Sequence, residues 1–398
     1  MQKHLVEEAN RCLQCKKPRC QSGCPVDTPI NEVINMFLKG NIQEAGELLF
    51  ANNPLSVICS LVCPHEKQCE GSCVVGKKGT PVNFGSIEHH ISNYYLDTMK
   101  PKFTKSPDKK VAIIGSGPAG ITIAVILASR GYDITIFEAH ERIGGILRYG
   151  IPEFRLPKDL LDKLKDKLLE MGIKIRLNTL IGHVLTVDDL FRDGYKAVFV
   201  GTGVWRPKAL GIKGESLGHV HFAINYLKNP SVYQLGDRLC VIGAGNVAMD
   251  AARTAARNGV KEVSIMYRKG RDAISADKHE VELAEADGVK LELNKSPLEI
   301  VDEGVLYHDN IESVDRLFKA DSVIIAVSQG PRDYIVSNTK GIDVDERGLI
   351  NTTESGLTTR EGVFASGDVV TGAKTVVEAV RLSKIVADAI DEYVQSLG

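Results

Sequence analysis

The chain has 398 residues, enough for two or three domains with a sizeable core. Its 49 basic and 51 acidic residues include no basic block, which argues against a nucleic-acid partner. No run of 18 apolar residues occurs and the first 20 residues are polar and cysteine-bearing, so neither a membrane span nor a signal peptide is expected and a cytoplasmic, soluble protein is.

Residues 1–100 form the first unit. Eight of the nine cysteines fall within residues 12–73, which in a cytosolic chain points to metal rather than disulfides. They run Cys12-x2-Cys15-x4-Cys20-x3-Cys24-Pro25 and Cys59-x3-Cys63-Pro64-x4-Cys69-x3-Cys73. Between the blocks, Ile30, Val33, Ile34, Phe37 and Leu38 have helical spacing, and Gly40 should break the segment into two short helices. Zinc ribbons pair two CxxC steps, whereas here there is one. The Cys-x3-Cys steps and the Cys-Pro ending follow ferredoxin grammar, in which the fourth cysteine serves the other cluster. Two [4Fe–4S] clusters are therefore expected.

A polar linker, Lys100–Lys110, leads to Val111-Ala-Ile-Ile114, a short buried strand. It runs into Gly115-Ser-Gly117-Pro118-Ala119-Gly120, which opens an apolar helix to Ser129. Gly115 allows the tight turn, Gly117 lets a pyrophosphate approach the backbone, and Gly120 lets helix and strand pack closely. The helix N-terminus adds free N–H groups and about +0.5 charge. A second strand, Asp133–Phe137, ends in Glu138, where a carboxylate grips ribose hydroxyls. The glycine- and proline-bearing stretch Ile143–Pro157 reads as a functional loop, with Gly145, Ile146 and Leu147 as cofactor contacts. Lys158–Met171 reads as an amphipathic helix and Ile173–Leu177 as a strand. Ala197–Gly203 reads as a strand closing on Gly201-Thr202-Gly203, a second approach to the same cofactor.

The pattern then repeats. The strand Leu239–Gly243 enters Gly243-Ala-Gly245-Asn246-Val247-Ala248 and a helix to Asn258, and Ser322–Gly330 echoes Ala197–Gly203. The spacing from Gly115 to Gly201 is 86 and from Gly243 to Ala326 is 83, which marks an internal duplication. No acid closes the second strand, Val263–Tyr267, of this copy. Arg268 and Arg271 stand there instead, and arginine at that place accommodates a 2′-phosphate. Cys240 reads as a buried, inert thiol. Last, a strand Val363–Ser366 meets Gly367-Asp368 and a helix from about Thr375. Asp368 suits a ribityl or phosphate group, and the helix N-terminus suits the electron-rich edge of a reduced flavin. The segment should return to complete the first nucleotide domain.

Together these stretches resemble one family: the flavin-bearing small subunit of NADPH-dependent glutamate synthase, with the N-terminal half of dihydropyrimidine dehydrogenase, its short bacterial NAD(P)-reacting subunit, and the large subunit of electron-bifurcating NADH-dependent ferredoxin:NADP oxidoreductase. The matching motifs are RCLQCKKPRCQSGCP, CSLVCPHEKQCEGSC, GSGPAG, GGILRYGIPEFRLP, GAGNVAMDAAR and FASGDVVTGAKTVVEAV. The resemblance implies FAD in the first site, NADP(H) in the second with NAD(H) as the alternative, and two [4Fe–4S] clusters. It implies Cys12, Cys15, Cys20 and Cys73 as one ligand set. It implies Cys24, Cys63, Cys69 and a non-cysteine ligand as the other. The relatives carry Gln or Glu at that place, and alignment on Pro81–Gly85 puts Glu88 there; Cys59 stays open as a ligand or a bystander.

The expected fold is α/β: a helical iron–sulfur domain (1–104), an FAD domain (105–228 plus 332–398) and an inserted NAD(P)H domain (229–331), both Rossmann-like as in glutathione reductase. The expected function is hydride exchange between NADP(H) and FAD, with electrons passed through the clusters to or from a partner redox subunit, a ferredoxin among the candidates. No acid–base residue is required for the hydride step. The motifs of a glutaminase, a synthase barrel or a pyrimidine-reducing barrel are missing, so one subunit of a larger enzyme is expected. Two competing readings are a thioredoxin-reductase-like disulfide reductase and a zinc docking module without activity. The first needs a redox CxxC beside the flavin, and the nucleotide domains contain only Cys240.

Overall fold

A computed structural model describes residues 2–101 and 105–398. The linker expected over Lys100–Lys110 falls partly outside the described residues, at 102–104. From Ser106 the chain is already strand, earlier than the sequence suggests. Its register with Tyr132–Phe137 slips between Ser106 and Lys110. The chain divides into two compact units, the first of residues 1–147, 153–204 and 331–398, the second of residues 148–152 and 205–330.

The first unit begins with the cysteine-bearing head. Its main helices are Ile30–Leu38, Ile42–Asn52, Ser56–Val62 and Phe84–Thr98. Gly40, at φ 82°, separates the first two, as expected. The apolar stripe Ile30, Val33, Ile34 and Phe37 packs on Leu49, Ile87 and Ile91 in one core. Each such side chain contributes about 1.5–3 kcal/mol by leaving water.

The rest of this unit is a five-stranded sheet in the order Val363–Ala365, Ala197–Val200, Ser106–Ile114, Tyr132–Phe137, Lys174–Arg176. All neighbours run parallel. The central strands are buried over residues 111–114, Tyr132–Phe137 and Ala197–Val200, where helices cover the sheet. Helix Pro118–Ser129 packs against both its own strand and helix Val376–Ser396.

The second unit repeats the sheet: Val220–Phe222, Ser322–Ile325, Arg238–Ile242, Glu262–Tyr267, Lys290–Leu293, again all parallel. Here the edge strand precedes the core of the unit in the chain, whereas in the first sheet it returns from the C-terminal segment. Because Val220–Phe222 pairs with Ser322–Ile325, the second unit starts ahead of residue 229. An antiparallel meander, Lys295–Val301, Gly304–Asp309 and Val314–Lys319, is added to it. Among the described residues no single helix is long and apolar enough to cross a membrane.

Candidate functional site

In the first unit, three distant stretches, around Gly201, Gly145 and Gly367, converge on the turn that starts helix Pro118–Ser129. Gly115 sits at φ 99°, and a Cβ there would meet the Gly201 carbonyl oxygen at 2.6 Å. A Cβ on Gly120 would meet the Gly115 carbonyl oxygen at 2.0 Å, so helix and turn touch. A Cβ on Gly145 would stand 3.0 Å from the Gly117 Cα, and one on Gly367 3.0 Å from the Ala119 Cβ. Gly117 alone faces open space: nothing lies within 4 Å of its Cβ position. That gap lies where a helix N-terminus offers its unpaired N–H groups, the requirement for a pyrophosphate. Pro118 is the first helical residue, where its missing N–H is no loss.

Glu138 ends the second strand and is 4% exposed. One oxygen accepts from the Ser116 N–H at 3.0 Å and from the Ser116 hydroxyl. The other accepts from the His140 N–H at 2.9 Å and Nδ1 at 2.7 Å. Burial opposes its charge, but the hydrogen bonds from His140 and Ser116 outweigh it and hold the carboxyl below its usual range. Sequence reasoning misses Ser116 and His140. The available signal is a hydroxyl between two fingerprint glycines, facing the acid that ends the neighbouring strand. Ser116 also holds the following loop, accepting from the Gly144 N–H at its carbonyl and its hydroxyl (3.0 and 3.2 Å). Of the loop residues named from sequence, Leu147 is fully buried in protein and Ile146 half-buried. Thr202 stands beside Gly115, and Gly203 takes φ 69°.

Asp368 follows Gly367 at the same place. Burial pushes its carboxyl up to about 6, against the Lys374 N–H that it accepts at 3.1 Å. Thr375 caps the long helix, its hydroxyl accepting from the Glu378 N–H at 3.4 Å.

The second unit builds the same turn. Gly243 has φ 130°, and a Cβ would meet the Ala326 carbonyl oxygen at 2.3 Å; Gly245 is open but for Ser275 Oγ at 3.6 Å. The Asn246 amide is committed to the fold: it donates to Asp277 Oδ2 and accepts from the Asp277 N–H, both at 2.8 Å. Its backbone N–H, and that of Val247, are what the helix start can offer a ligand. The two arginines differ. Arg271 makes a two-pronged pair with Glu285 (2.8 and 2.6 Å). Arg268 is exposed and has no ion pair among the described residues. Its loop is held by Asn310 Nδ2, which donates to the Arg268 carbonyl at 2.8 Å. No local pattern in the sequence signals that Glu285 reaches Arg271.

In the head, Cys12, Cys15, Cys20 and Cys73 line one pocket, with Cys69 on its wall. Burial, then Cys15 and Cys73, push the Cys12 thiol up; burial, then Cys73 and Cys12, push Cys20 up to about 11. A second group adjoins it. Glu88, one turn into helix Phe84–Thr98, is 6% exposed. Burial raises its carboxyl far above the usual range, and the charges acting on it, Cys59 and Glu70, raise it further. Glu88 in turn raises Cys24, Cys63 and Cys69, after burial in the case of Cys24 and Cys69 and after the Cys59 hydrogen bond and burial in that of Cys63. Cys59 is buried against Cys63. The structure therefore brings the sequence-named cysteines and Glu88 into two adjoining groups, with Cys59 in the second. Among the described residues no three His, Cys, Asp or Glu side chains surround a single point as one metal ion requires. A cubane cluster asks for something else: one ligand per iron, spread around its body. Crowded acidic donors whose charged forms oppose one another fit such a cationic core.

A family model described as pyridine nucleotide-disulphide oxidoreductase matches residues 77–190 and 109–382. A second, described as dihydropyrimidine dehydrogenase domain II, 4Fe-4S cluster, matches residues 1–100. The glutamate synthase [NADPH] small chain of Halomonas elongata is 33% identical over 97% of this chain and 90% of its own length. That of Escherichia coli is 31% identical over 98% and 91%. The NAD-dependent dihydropyrimidine dehydrogenase subunit PreT of Salmonella typhimurium is 32% identical over 98% and 94%. Among solved structures, T. acidophilum thioredoxin reductase shares the fold at TM-score 0.58 and 24% identity, over 73% of this chain and all (100%) of that one. The chain belongs to the pyridine nucleotide-disulphide oxidoreductase family, among the flavin and iron–sulfur electron-transfer subunits that include the glutamate synthase small chain and PreT.

Proposed function

We propose that the first cradle holds FAD, the second holds NADP(H) in preference to NAD(H), and the head (1–104) holds two [4Fe–4S] clusters, so that the chain moves electrons between NADP(H) and a partner redox subunit. The observation that carries this is the sorting of eight cysteines and Glu88 into two adjoining donor groups in the same compact unit as the first cradle. Cys12, Cys15, Cys20 and Cys73 are the proposed ligands of one cluster. Cys24, Cys63, Cys69 and Glu88 are those of the other, with Cys59 competing for the last place. When bound, FAD would exchange a hydride with the nicotinamide and the clusters would take electrons one at a time. The chain's own share is positional. Gly117 leaves room for the pyrophosphate, Glu138 faces the ribose, and Asp368 and the start of the Thr375-capped helix serve the flavin end.

A disulfide reductase, the activity in the names of several fold neighbours, needs a reactive thiol pair. Outside the head the only cysteine is Cys240, which is fully buried, and burial pushes its thiol up to about 12.

Iron and sulfide analysis of anaerobically prepared protein tests the reading. About eight irons per chain are expected for two cubanes. Zinc in their place overturns it. The last ligand is settled by comparing Glu88→Ala with Cys59→Ser in EPR and redox titration. A change in one cluster's signal with Glu88→Ala supports Glu88; a change with Cys59→Ser alone assigns Cys59.

A further inference from the structure

We propose that Lys384 is a positioning residue for the cluster that Cys24 holds: acting through Asn52 and Thr28, it aims a hydroxyl hydrogen at the Cys24 sulfur and so raises that cluster's potential. The proposal rests on Cys24 being a ligand, as read above.

Lys384 lies on helix Val376–Ser396, about 14 Å along the axis from the capping Thr375. Its Nζ donates to Asn52 Oδ1 at 2.7 Å. Asn52 Nδ2 donates to Thr28 Oγ1 at 3.3 Å. Thr28 Oγ1 is 3.3 Å from Cys24 Sγ. An ammonium has donors and no acceptor, so Asn52 must turn its oxygen toward Lys384 and its NH2 toward Thr28. The Thr28 oxygen is then an acceptor on that side, and its single hydrogen is left for Cys24. Each link fixes the direction of the next. Thr28 is 3% exposed, so water has little access to reverse the chain.

The N–H groups of Thr28 and Val26 reach the same sulfur. Hydrogen bonds to a ligand sulfur favour the more negative, reduced state of an iron–sulfur cluster. Lys384 is half-buried; burial pushes its ammonium below the usual range, and the charges of Cys24, Asp27 and Asp388 act against that push. One helix therefore starts at the first cradle and, farther along, reaches the ligand of a cluster. A plain structural staple between helix and head would use the same lysine but leave the potential alone.

The test is an EPR-monitored redox titration of the full, cluster-loaded protein, comparing wild type with Lys384→Met, Lys384→Arg, Thr28→Val and the Lys384→Met/Thr28→Val double variant. Lys384→Met and Thr28→Val should each lower the reduced-to-oxidised ratio of the second cluster at fixed poise by about tenfold, which is about 59 mV for a one-electron couple. Lys384→Arg, which keeps donors and charge, should stay near wild type, and the flavin and the other cluster should not move. Because the effect passes through Thr28, the double variant should shift no further than Thr28→Val. An unmoved potential in Lys384→Met, or shifts that add in the double variant, overturns the relay. Wild type with only one cluster signal overturns the two-cluster reading and the relay with it; two signals and no shift overturn the relay alone.

Discussion

In both nucleotide units a glycine at positive φ follows the first strand, and in both the atom that forbids a side chain is the carbonyl oxygen at the end of a neighbouring strand: Gly201 for Gly115, Ala326 for Gly243. The next glycine in each, Gly117 and Gly245, has ordinary φ and open space before it. The copies differ in what surrounds that space. The first has Gly120 touching its own turn, where the second carries Ala248, fully buried. The first ends its second strand in a buried acid, Glu138, and the second leads into the exposed Arg268. The first is completed by the C-terminal segment with Asp368, and the second by a strand that precedes it. What the fold demands is shared; what differs lies in how each cradle is finished.

The largest expected effects come from separating these two roles of glycine. Gly115→Ala or Gly243→Ala should destabilise the protein by about 1–3 kcal/mol from backbone strain alone, before the clash is added, measured by urea denaturation. Compared in flavin-stripped protein, Gly117→Val and Gly245→Val should cost less stability than these, since their side chains enter open space. Gly117→Val should purify with little or no FAD. Gly245→Val should keep its FAD but lose its reduction by NADPH. Full flavin content in Gly117→Val would remove the first cradle from the FAD assignment.

The duplicated strand–turn–helix and the Gly40 break are legible in the sequence because each rests on local spacing, whereas the two cysteine sets, which join residues from both blocks, come from the family resemblance alone. Other features are not legible there. The pairing of Arg271 with Glu285 and of Asn246 with Asp277 joins residues 14 and 31 apart in the chain through loops without a period. The meander from Lys295 has an outer strand, Val314–Lys319, that is mostly exposed and whose apolar residues, Val314, Leu317 and Phe318, do not alternate with polar ones, so no stripe marks it. Strand Ser106–Ile114 begins inside a run of Lys, Pro and Asp that composition assigns to a linker. Glu88 stands out by family position only; its burial depends on how helix Phe84–Thr98 packs in the head.

A smaller effect sharpens the difference in how the copies are completed, since Asp368 has no counterpart in the second. Its carboxyl is raised from the ordinary 3.8 to about 6 in the fold, mainly by burial. The folded state thus binds this proton more tightly than the unfolded chain. The resulting stability is fully present below pH 3.8 and is lost as pH rises through about 6. Each tenfold difference in proton affinity between the two states is worth about 1.4 kcal/mol, so the change is at most about 3 kcal/mol. In flavin-stripped protein, Asp368→Asn should match wild type near pH 4 and exceed its stability at pH 7. A difference between the two that does not vary with pH would show that Asp368 is not buried in this way.

The smallest effect, and the one that tests the difference in charge, is on cofactor choice. Arg271 is an exposed residue paired with Glu285, whose side chain is also partly exposed. Such a pair is worth about 0–1 kcal/mol, so a 2′-phosphate, at about 1.5–3 kcal/mol for a charge-assisted contact, could take the guanidinium from Glu285. Glu285 would remain nearby as a repulsive charge and reduce the gain. Arg268 carries no such penalty: it has no ion pair among the described residues, and its backbone is held by Asn310 Nδ2. Arg268→Ala should therefore lower kcat/KM for NADPH by about 10- to 100-fold and leave NADH use nearly unchanged. Arg271→Ala should lower it only several-fold, and Glu285→Gln should raise it. The measurement is kcat/KM for both cofactors across the three variants. Equal use of NADH and NADPH by wild type would remove the phosphate role from both arginines, whereas a larger loss in Arg271→Ala than in Arg268→Ala would keep the role and move it to the paired residue.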